Sequence, residues 1–530
     1  MSDQPDYVPR FIISALLFAL LMLIFMPPLV WNDNEAHYFM LSYRRVAPDL
    51  FSPNNVVFHD TGNSRFLGEY LIGGVVSYLG YETAHALLRS LMAVAYGTSL
   101  AYLFAVLRLS LSEGVIVLYT YTVIETQTLG GEWLFWGIET KTMAYAAVFT
   151  ALAFGIRGRW KLAVTFAALA TYLHFLVGGF WTVVLLLIYF HLHTKIRQTL
   201  YFAAIYAFAV FPLLAILVFE QFTSVSPRSE DGLTADYIIS FLRGPHHVAP
   251  FSSEAHFWAD WAPQILATTV AAITCLGLLQ FVKSRITRTL LLTVIGICSY
   301  LLIALIISFF DRNTGALGKF FLFRPSALGL LLFLAALALS IKEVFSTTMP
   351  KLTAILLIPM ATLIFGISLL DAVSRTRDAL ADQLNAEKTL RPLLKYIEVS
   401  TDKKSVILID PSFDSAKYMN IRRLIVGLRP TLVGNKYIPT DPAGIIRWHN
   451  LMNFRKKIFR EGCVVPMKHR VDFILVSVLG GSRDQKELLF SSCGKLVVST
   501  DQYFLVKVED ELRLSAAEGP IGELIELSPD

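Results

Sequence analysis

The sequence predicts a polytopic α-helical membrane protein, with about eleven transmembrane helices and a C-terminal extracytoplasmic α/β domain. Of its 530 residues, 55% are hydrophobic and only 16% are charged, whereas soluble proteins carry about 25% charged residues. The mean hydropathy is +0.56, and apolar runs recur that are long enough to cross a ~30 Å hydrocarbon layer as helices. Beyond residue 371 the sequence becomes polar. No basic block interleaved with aromatic residues suggests a nucleic-acid partner.

The apolar runs are the predicted transmembrane helices. The first is expected to be retained, because bulky residues follow it where a signal peptide would have a small-residue cleavage site. Several runs are shorter than the ~20 residues typical of a span, so their ends are approximate. The runs are Phe11–Val30, Ala84–Leu107, Gly114–Ile124, Met143–Ile156, Leu162–Leu176, Phe180–Leu192, Leu200–Phe219, Ile265–Val282, Leu290–Phe310, Ala327–Ile341 and Leu352–Leu370.

The distribution of Lys and Arg predicts the orientation of these spans. If the N-terminus is cytoplasmic and each span changes side, every short basic connector falls inside, as the positive-inside rule requires. The loop Trp31–Tyr81, the loop Glu220–Asp260 and the whole C-terminal domain then lie outside. The inside connectors hold Arg108, Arg157, Arg159, Lys161, Lys195, Arg197, Lys283, Arg285, Arg288, Lys342 and Lys351.

Composition divides the chain into four segments. Residues 1–370 form the predicted transmembrane domain, which includes the first extracytoplasmic loop 31–81. Residues 371–396 form a helical connector, 397–515 the α/β domain, and 516–530 an acidic tail. Within the α/β domain a helix is predicted over Ala443–Phe459, and the β-like runs are Ser405–Ile409, Leu424–Val426, Val471–Val476, Lys495–Val498 and Phe504–Val508.

The four cysteines form two pairs by location. Cys275 and Cys298 lie within apolar runs and are expected to be packing residues. Cys463 and Cys493 lie in the polar C-terminal domain, where they could form a disulfide in an oxidising compartment.

The stretch Trp31–Tyr38 places two carboxylates and one imidazole where the first span ends. A general base needs a positioned carboxylate, and Asp33 and Glu35 are the candidates. Glu35 has an alternative role, because Asn32 and Glu35 have the spacing of a capping box for the helix that follows. That helix is predicted to be amphipathic and interfacial, and Arg65–Leu79, which glycines interrupt, is predicted to be a second interfacial or re-entrant helix.

Cationic and imidazole groups recur on the predicted outer side. His246 and His247 follow Arg243 in Arg-Gly-Pro-His-His, and such groups could contact a phosphate or a metal. Arg324 could hold a phosphate bidentately, whereas snorkelling to lipid headgroups explains Lys319 equally well.

Further candidates end or flank the spans on this side. His174 ends one span, where a packing contact and a functional role are both open. Arg65, Glu139 and Lys141 are weaker candidates for the same site.

This arrangement resembles the GT-C superfamily of integral membrane glycosyltransferases. Asp33–Tyr38 is similar to the Asp/Glu motif of their first periplasmic loop. Within that superfamily the chain resembles an uncharacterised bacterial group that has a Leu-x-x-His span end (here Leu173-His174), Arg243–His247 and Arg324–Ser326. The same group shares a C-terminal segment that resembles 428–448 here.

The resemblance implies an enzyme of a bacterial inner membrane, whose members use polyprenyl-phosphate-linked sugars. Asp33, helped or replaced by Glu35, would deprotonate an envelope glycan, lipid or protein acceptor for an inverting displacement on the periplasmic face. Arg324, with His246 or His247, would neutralise the leaving lipid phosphate. No cofactor is implied, and a divalent metal is left open.

Two other function classes fit the sequence. A transporter or flippase of a lipid-linked glycan explains the spans and the cationic groups, although no convincing internal repeat is visible. A non-catalytic scaffold of a polysaccharide assembly complex explains the large C-terminal domain and would leave the acidic stretch as a helix cap only.

Overall fold

The architecture is described from a computed structural model. The structure describes residues 7–32, 34–51, 55–58, 60, 62–223, 227–346, 350–414, 419–436, 438–464, 469–477, 488–489 and 491–512. Asp33 and the predicted acidic tail 516–530 lie outside the described residues.

Every predicted apolar run overlaps a helix. Between α8 and α12, short α-helices alternate with π-helical turns at Ile238–Arg243 and Phe257–Trp261. In chain order the helices are α1 (Tyr7–Phe25), α2 (Glu35–Val46), α3 (Phe66–Leu107), α4 (Leu111–Ile124), α5 (Thr140–Ile156), α6 (Trp160–Leu173), α7 (Phe175–His193), α8 (Ile196–Thr223), α9 (Ala235–Tyr237), α10 (Pro245–Val248), α11 (Glu254–His256), α12 (Ala262–Leu278), α13 (Arg285–Phe310), α14 (Ser326–Ser346) and α15 (Pro350–Ser400).

The helices have the length and composition of membrane spans. Among the described residues, six helices are long and apolar enough to cross a membrane, and four more are apolar but shorter. The 51-residue α15 carries the last predicted span and the predicted connector as one continuous helix. The predicted class, a polytopic α-helical membrane protein, is therefore confirmed.

The basic connectors that were predicted to share one side contact one another in pairs. Lys342 Nζ donates to the carbonyl oxygen of Arg108 at 3.0 Å. Arg285 Nη2 donates to the carbonyl oxygen of His191 at 2.7 Å. These contacts agree with the predicted sidedness, and the orientation in the membrane stays a prediction.

The first of the two predicted interfacial helices differs from expectation in its surroundings. The first is α2, but Phe39 packs into the bundle core and Met40 into the core of the C-terminal domain, so α2 lies between two cores. The second is the first arm of α3, which joins the following span at a kink. Gly80 makes that kink with φ 73°, a left-handed conformation that glycine adopts without a Cβ clash.

The C-terminal domain contains one described sheet and two more helices. The strands are β1 (Ile407–Ile409), β2 (Phe473–Ser477), β3 (Gly494–Ser499) and β4 (Tyr503–Val508). Within the described residues their order is β1-β2-β4-β3, with β1 parallel to β2 and the other pairs antiparallel. The helices are α16 (Met419–Leu428) and α17 (Pro442–Glu461).

The prediction of a strand at Leu424–Val426 was wrong, because this segment lies within α16. A short apolar run does not by itself distinguish a strand from a buried turn of helix. Here Ile425 and Val426 are buried in a helix that packs against α15.

The C-terminal domain is bound to the loops at one end of the helix bundle. The backbone N–H of Val56 donates to the carbonyl oxygen of Leu432 at 3.0 Å, and His449 Nε2 lies 2.9 Å from Asp231 Oδ2. Residues of both parts share one hydrophobic core. The predicted Cys463–Cys493 disulfide is present in the structure.

Candidate functional site

A buried ion-pair cluster forms around Glu35, at the start of α2. Both carboxylate oxygens accept hydrogen bonds from Arg89, at 2.7 Å from Nη2 and 2.9 Å from Nε. His85 Nε2 lies 2.9 Å away, and the backbone N–H of Ile138 donates at 2.7 Å. Burial alone would raise the pKa of Glu35, but Arg89 and His85 lower it to about 2. Glu35 is therefore an ionised, fully buried and fully paired carboxylate.

Glu35 also accepts the backbone N–H of Asn32 at 2.6 Å, the contact that the capping-box reading predicts. In a capping box the carboxylate belongs to the third residue of the helix, but α2 begins at Glu35 itself. The hydrogen bond from Asn32 therefore closes the turn that precedes the helix. This geometry favours a positioning role for Glu35 over that of a general base.

The loop before α5 wraps around this cluster. The carbonyl oxygen of Trp136 accepts from the Asn32 side chain at 3.2 Å. A Cβ at Gly137 would lie 3.0 Å from the Glu35 carboxyl carbon, so a larger residue there would press against this carboxylate. Asn34 Nδ2 donates to Glu139 Oε1 at 3.0 Å. Both neighbours of residue 33 are therefore fixed to this loop.

A second polar cluster joins four helix ends around Arg324. Its Nε lies 3.4 Å from Glu132 Oε1, and its Nη1 donates to His174 Nε2 at 3.1 Å. Lys141 Nζ lies 3.4 Å from Glu132 Oε2 and 3.7 Å from Glu139 Oε2. Because a guanidinium only donates, His174 accepts through Nε2 and carries its proton on Nδ1.

Neighbouring positive charges keep the buried Glu132 of this second cluster ionised. The Glu132 side chain is 2% exposed and that of Arg324 is 14% exposed. Burial would raise the pKa of Glu132, but Lys141, Arg324 and His247 lower it to about 2. Arg324 lies 4.4 Å from the ring centre of Phe321. The cluster thus presents a held, partly accessible guanidinium at the end of apolar helices.

The histidine pair lies beside this cluster. His247 Nδ1 is 2.7 Å from the carbonyl oxygen of Gly130, and the two imidazole centres are 4.0 Å apart. Burial, with His247, Arg243 and Lys436 nearby, lowers the pKa of His246 to about 3. Burial also lowers the pKa of His247. His246 is therefore neutral at pH 7, so it can donate or accept hydrogen bonds but does not supply positive charge.

A third group of cations surrounds α2 on the side of the C-terminal domain. Arg65 lies 5.2 Å from the ring centre of Tyr38. Burial lowers the pKa of His37, and the charges of Arg65, Arg243 and Lys436 lower it further. Because Lys436 belongs to the C-terminal domain, that domain contributes charge next to α2.

The structure separates Lys319 from the clustered candidates. Its Nζ lies 3.2 Å from Asp236 Oδ1, and both side chains are about one-third exposed. Among the described residues no group of three or more His, Cys, Asp and Glu side chains could hold a metal ion.

Three central residues were absent from the sequence-based candidates: Arg89, His85 and Glu132. A signal existed for the first two, because an ionisable residue inside a predicted span is costly unless it is paired. Both lie in the run Ala84–Leu107. Glu132 had no comparable signal, since acidic loop residues are common.

Glu125 gives a prediction about stability against pH. It is 2% exposed, and its Oε2 has no hydrogen-bond partner among the described residues. Burial raises its pKa to about 8, against 4.5 for an unperturbed group, although Trp136, Leu134 and Lys141 oppose the shift. Its stabilising contribution is therefore full below pH 4.5 and is lost as pH rises towards about 8. From pH 4.5 to pH 7 we expect a loss of about 3 kcal/mol that Glu125→Gln removes.

The measurement is thermal unfolding of purified protein in detergent between pH 4.5 and pH 8, compared with Glu125→Gln. The exposed Glu254 provides the matched control Glu254→Gln. Parallel stability curves for the wild type and Glu125→Gln would contradict the prediction.

The fold and these clusters define a polytopic membrane protein with a buried, highly charged site at one end of its helix bundle. A scan against protein-family models finds no match, and a search of curated proteins finds none. Among solved structures the chain is similar to the crystal structure of ArnT from Cupriavidus metallidurans in the apo state. The similarity covers 96% of this chain and 99% of that chain, with a TM-score of 0.40 and 11% identity. At these values no residue role or substrate is transferred from it.

Proposed function

We propose that the protein is a GT-C-type glycosyltransferase that moves a sugar from a polyprenyl-phosphate-linked donor to an envelope glycan, lipid or protein acceptor. The observation that carries the proposal is the Arg324 cluster. It holds a guanidinium at the end of apolar helices, where a phosphate attached to a lipid tail would arrive from the bilayer. The fork of an arginine matches a phosphate bidentately.

The proposed reaction is a direct displacement at the anomeric carbon. The acceptor oxygen forms a bond to that carbon as the bond to the phosphate oxygen breaks, and the configuration inverts. Asp33 takes the acceptor proton, and Arg324 stabilises the charge that develops on the leaving phosphate. His174, His246 and His247 are proposed as neutral hydrogen-bonding groups beside that phosphate.

Support for Asp33 comes from its described neighbours. Asn32 and Asn34 are bound to the loop 136–139, and the same loop carries Glu139, which lies beside Lys141. Glu35, in this proposal, holds that stretch and does not take the proton.

The test is transfer by purified protein in detergent with radiolabelled undecaprenyl-phosphate sugars and envelope acceptors. We expect Asp33→Asn to lower the transfer rate by about 10²-fold or more, the scale of a lost general base. Asp49→Asn, at an exposed carboxylate of the same loop, is the matched control and should transfer at the wild-type rate.

Two outcomes would overturn the proposal in different ways. Activity that survives in Asp33→Asn would remove the assigned base while leaving a transferase. Movement of lipid-linked sugar across vesicles without transfer to any acceptor would instead favour a flippase.

A further inference from the structure

A recess in the described part of the molecule lies away from the Arg324 cluster. It is a cleft of about 500 Å³ between the kink of α3, the end of α15 and α16. Its floor includes Tyr43, Val76 and Leu428. Added Cβ atoms at Gly80 and Gly427 would meet no atom within 4 Å, so both glycines border open space.

Charges of both signs line this cleft in equal number. The cations are Arg391, Lys395 and Arg423, and the anions are Glu82, Glu387 and Glu398. Glu387, Arg391, Lys395 and Glu398 are exposed along one face of α15, and none of them forms an ion pair with another described residue. A lining of net zero charge with separate cationic and anionic groups complements a zwitterion.

One cation of the cleft is buried and incompletely bonded. The Arg423 side chain is 6% exposed and pairs with Glu82. Its Nε is buried and has no hydrogen-bond partner among the described residues. A buried donor without a partner is destabilising, so Arg423 has hydrogen-bonding capacity that its pair with Glu82 does not use.

The cleft opens where apolar surface begins. Tyr78 and Leu79, immediately before the kink at Gly80, are 90% and 44% exposed. Gln383 on α15 donates to the carbonyl oxygen of Leu29, just past the end of α1, at 3.0 Å. The cleft therefore lies next to the level at which a span of ~30 Å leaves the hydrocarbon layer.

We propose that this cleft binds the headgroup of a zwitterionic glycerophospholipid. The lipid phosphate would contact Arg391 and the guanidinium of Arg423, and the headgroup ammonium would contact Glu387. The acyl chains would leave along the exposed surface of Tyr78 and Leu79. Such a lipid would join the C-terminal domain to the helix bundle. This site shares none of the residues assigned to sugar transfer.

The experiment is native mass spectrometry of the full chain, titrated in detergent with phosphatidylethanolamine or with phosphatidylglycerol. Phosphatidylethanolamine should bind with an apparent Kd at least 5-fold lower, because phosphatidylglycerol has the phosphate but no ammonium. Arg391→Gln/Glu387→Gln removes one charge of each sign and should raise the Kd for phosphatidylethanolamine at least 10-fold. Gly427→Leu fills the open space with the charges intact and should raise it as much.

Arg377→Gln, at an exposed arginine on the same helix outside the cleft, is the control and should bind as the wild type does. Equal affinity for both lipids would overturn the assignment of a zwitterionic ligand. Unchanged binding in Gly427→Leu would show that the lipid does not bind in this cleft. A wild-type protein that retains neither lipid would overturn the proposed lipid site. None of these results depends on sugar transfer, so this proposal and the proposed activity can fail separately.

Discussion

Replacing Arg324 by alanine is expected to slow sugar transfer by about 10²–10³-fold, the cost of losing one preorganised charge-stabilising group. The guanidinium is held 3.1 Å from His174 Nε2 and 3.4 Å from Glu132 Oε1. It costs no reorganisation when charge develops on the leaving phosphate. The measurement is the initial rate with undecaprenyl-phosphate sugar at saturating donor, with size-exclusion profiles to show that each variant is folded.

Two further variants separate charge from shape at this position. Arg324→Lys keeps the positive charge but loses the planar fork, so its rate should lie between those of the wild type and the alanine variant. Arg312→Ala, at an exposed arginine of the same loop, should transfer at the wild-type rate. A folded Arg324→Ala enzyme within 3-fold of the wild type would remove Arg324 from the mechanism.

The sequence predicted the helix bundle well because long apolar runs have few structural alternatives in a membrane. The helix predicted over Arg65–Leu79 corresponds to the first arm of α3, because the non-helical dihedral angles of Gly80 separate that arm from the following span. The error at Leu424–Val426 arose because only tertiary packing decides what a three-residue apolar run becomes.

The site was partly visible in the sequence for a different reason. Arg324 and His174 could be recognised one at a time as costly groups at span ends, and the structure brings them together across 150 positions of sequence. Glu132, the carboxylate that Arg324 contacts, is 192 positions from it. Pairings at such separations follow from helix packing, which local patterns do not encode. Lys319 is the opposite case. It is also a cation near the end of a span, but it pairs with Asp236 and not with the residues around Arg324.

Replacing Glu35 by glutamine is expected to lower the free energy of unfolding by about 3–5 kcal/mol, the cost of leaving a buried charge without its partner. The charge is that of Arg89, whose side chain is 3% exposed. Glutamine keeps only one acceptor oxygen, so one of the two backbone N–H groups that donate to Glu35, those of Asn32 and Ile138, loses its partner. The measurement is thermal or denaturant unfolding in detergent, with Glu254→Gln as the exposed-carboxylate control.

A double replacement shows whether this loss arises from the ion pair. Exchanging both Glu35 and Arg89 for methionine leaves no unpaired buried charge. The double variant should therefore lose less free energy of unfolding than the two single methionine variants lose together. Sugar transfer by Glu35→Gln, measured below its lowered midpoint of unfolding, then separates the two roles that the sequence left open. A positioning carboxylate predicts a large stability loss with transfer reduced less than in Asp33→Asn. A variant with unchanged stability and no transfer would make Glu35 the base, because proton transfer is lost with the carboxylate even when the fold is intact.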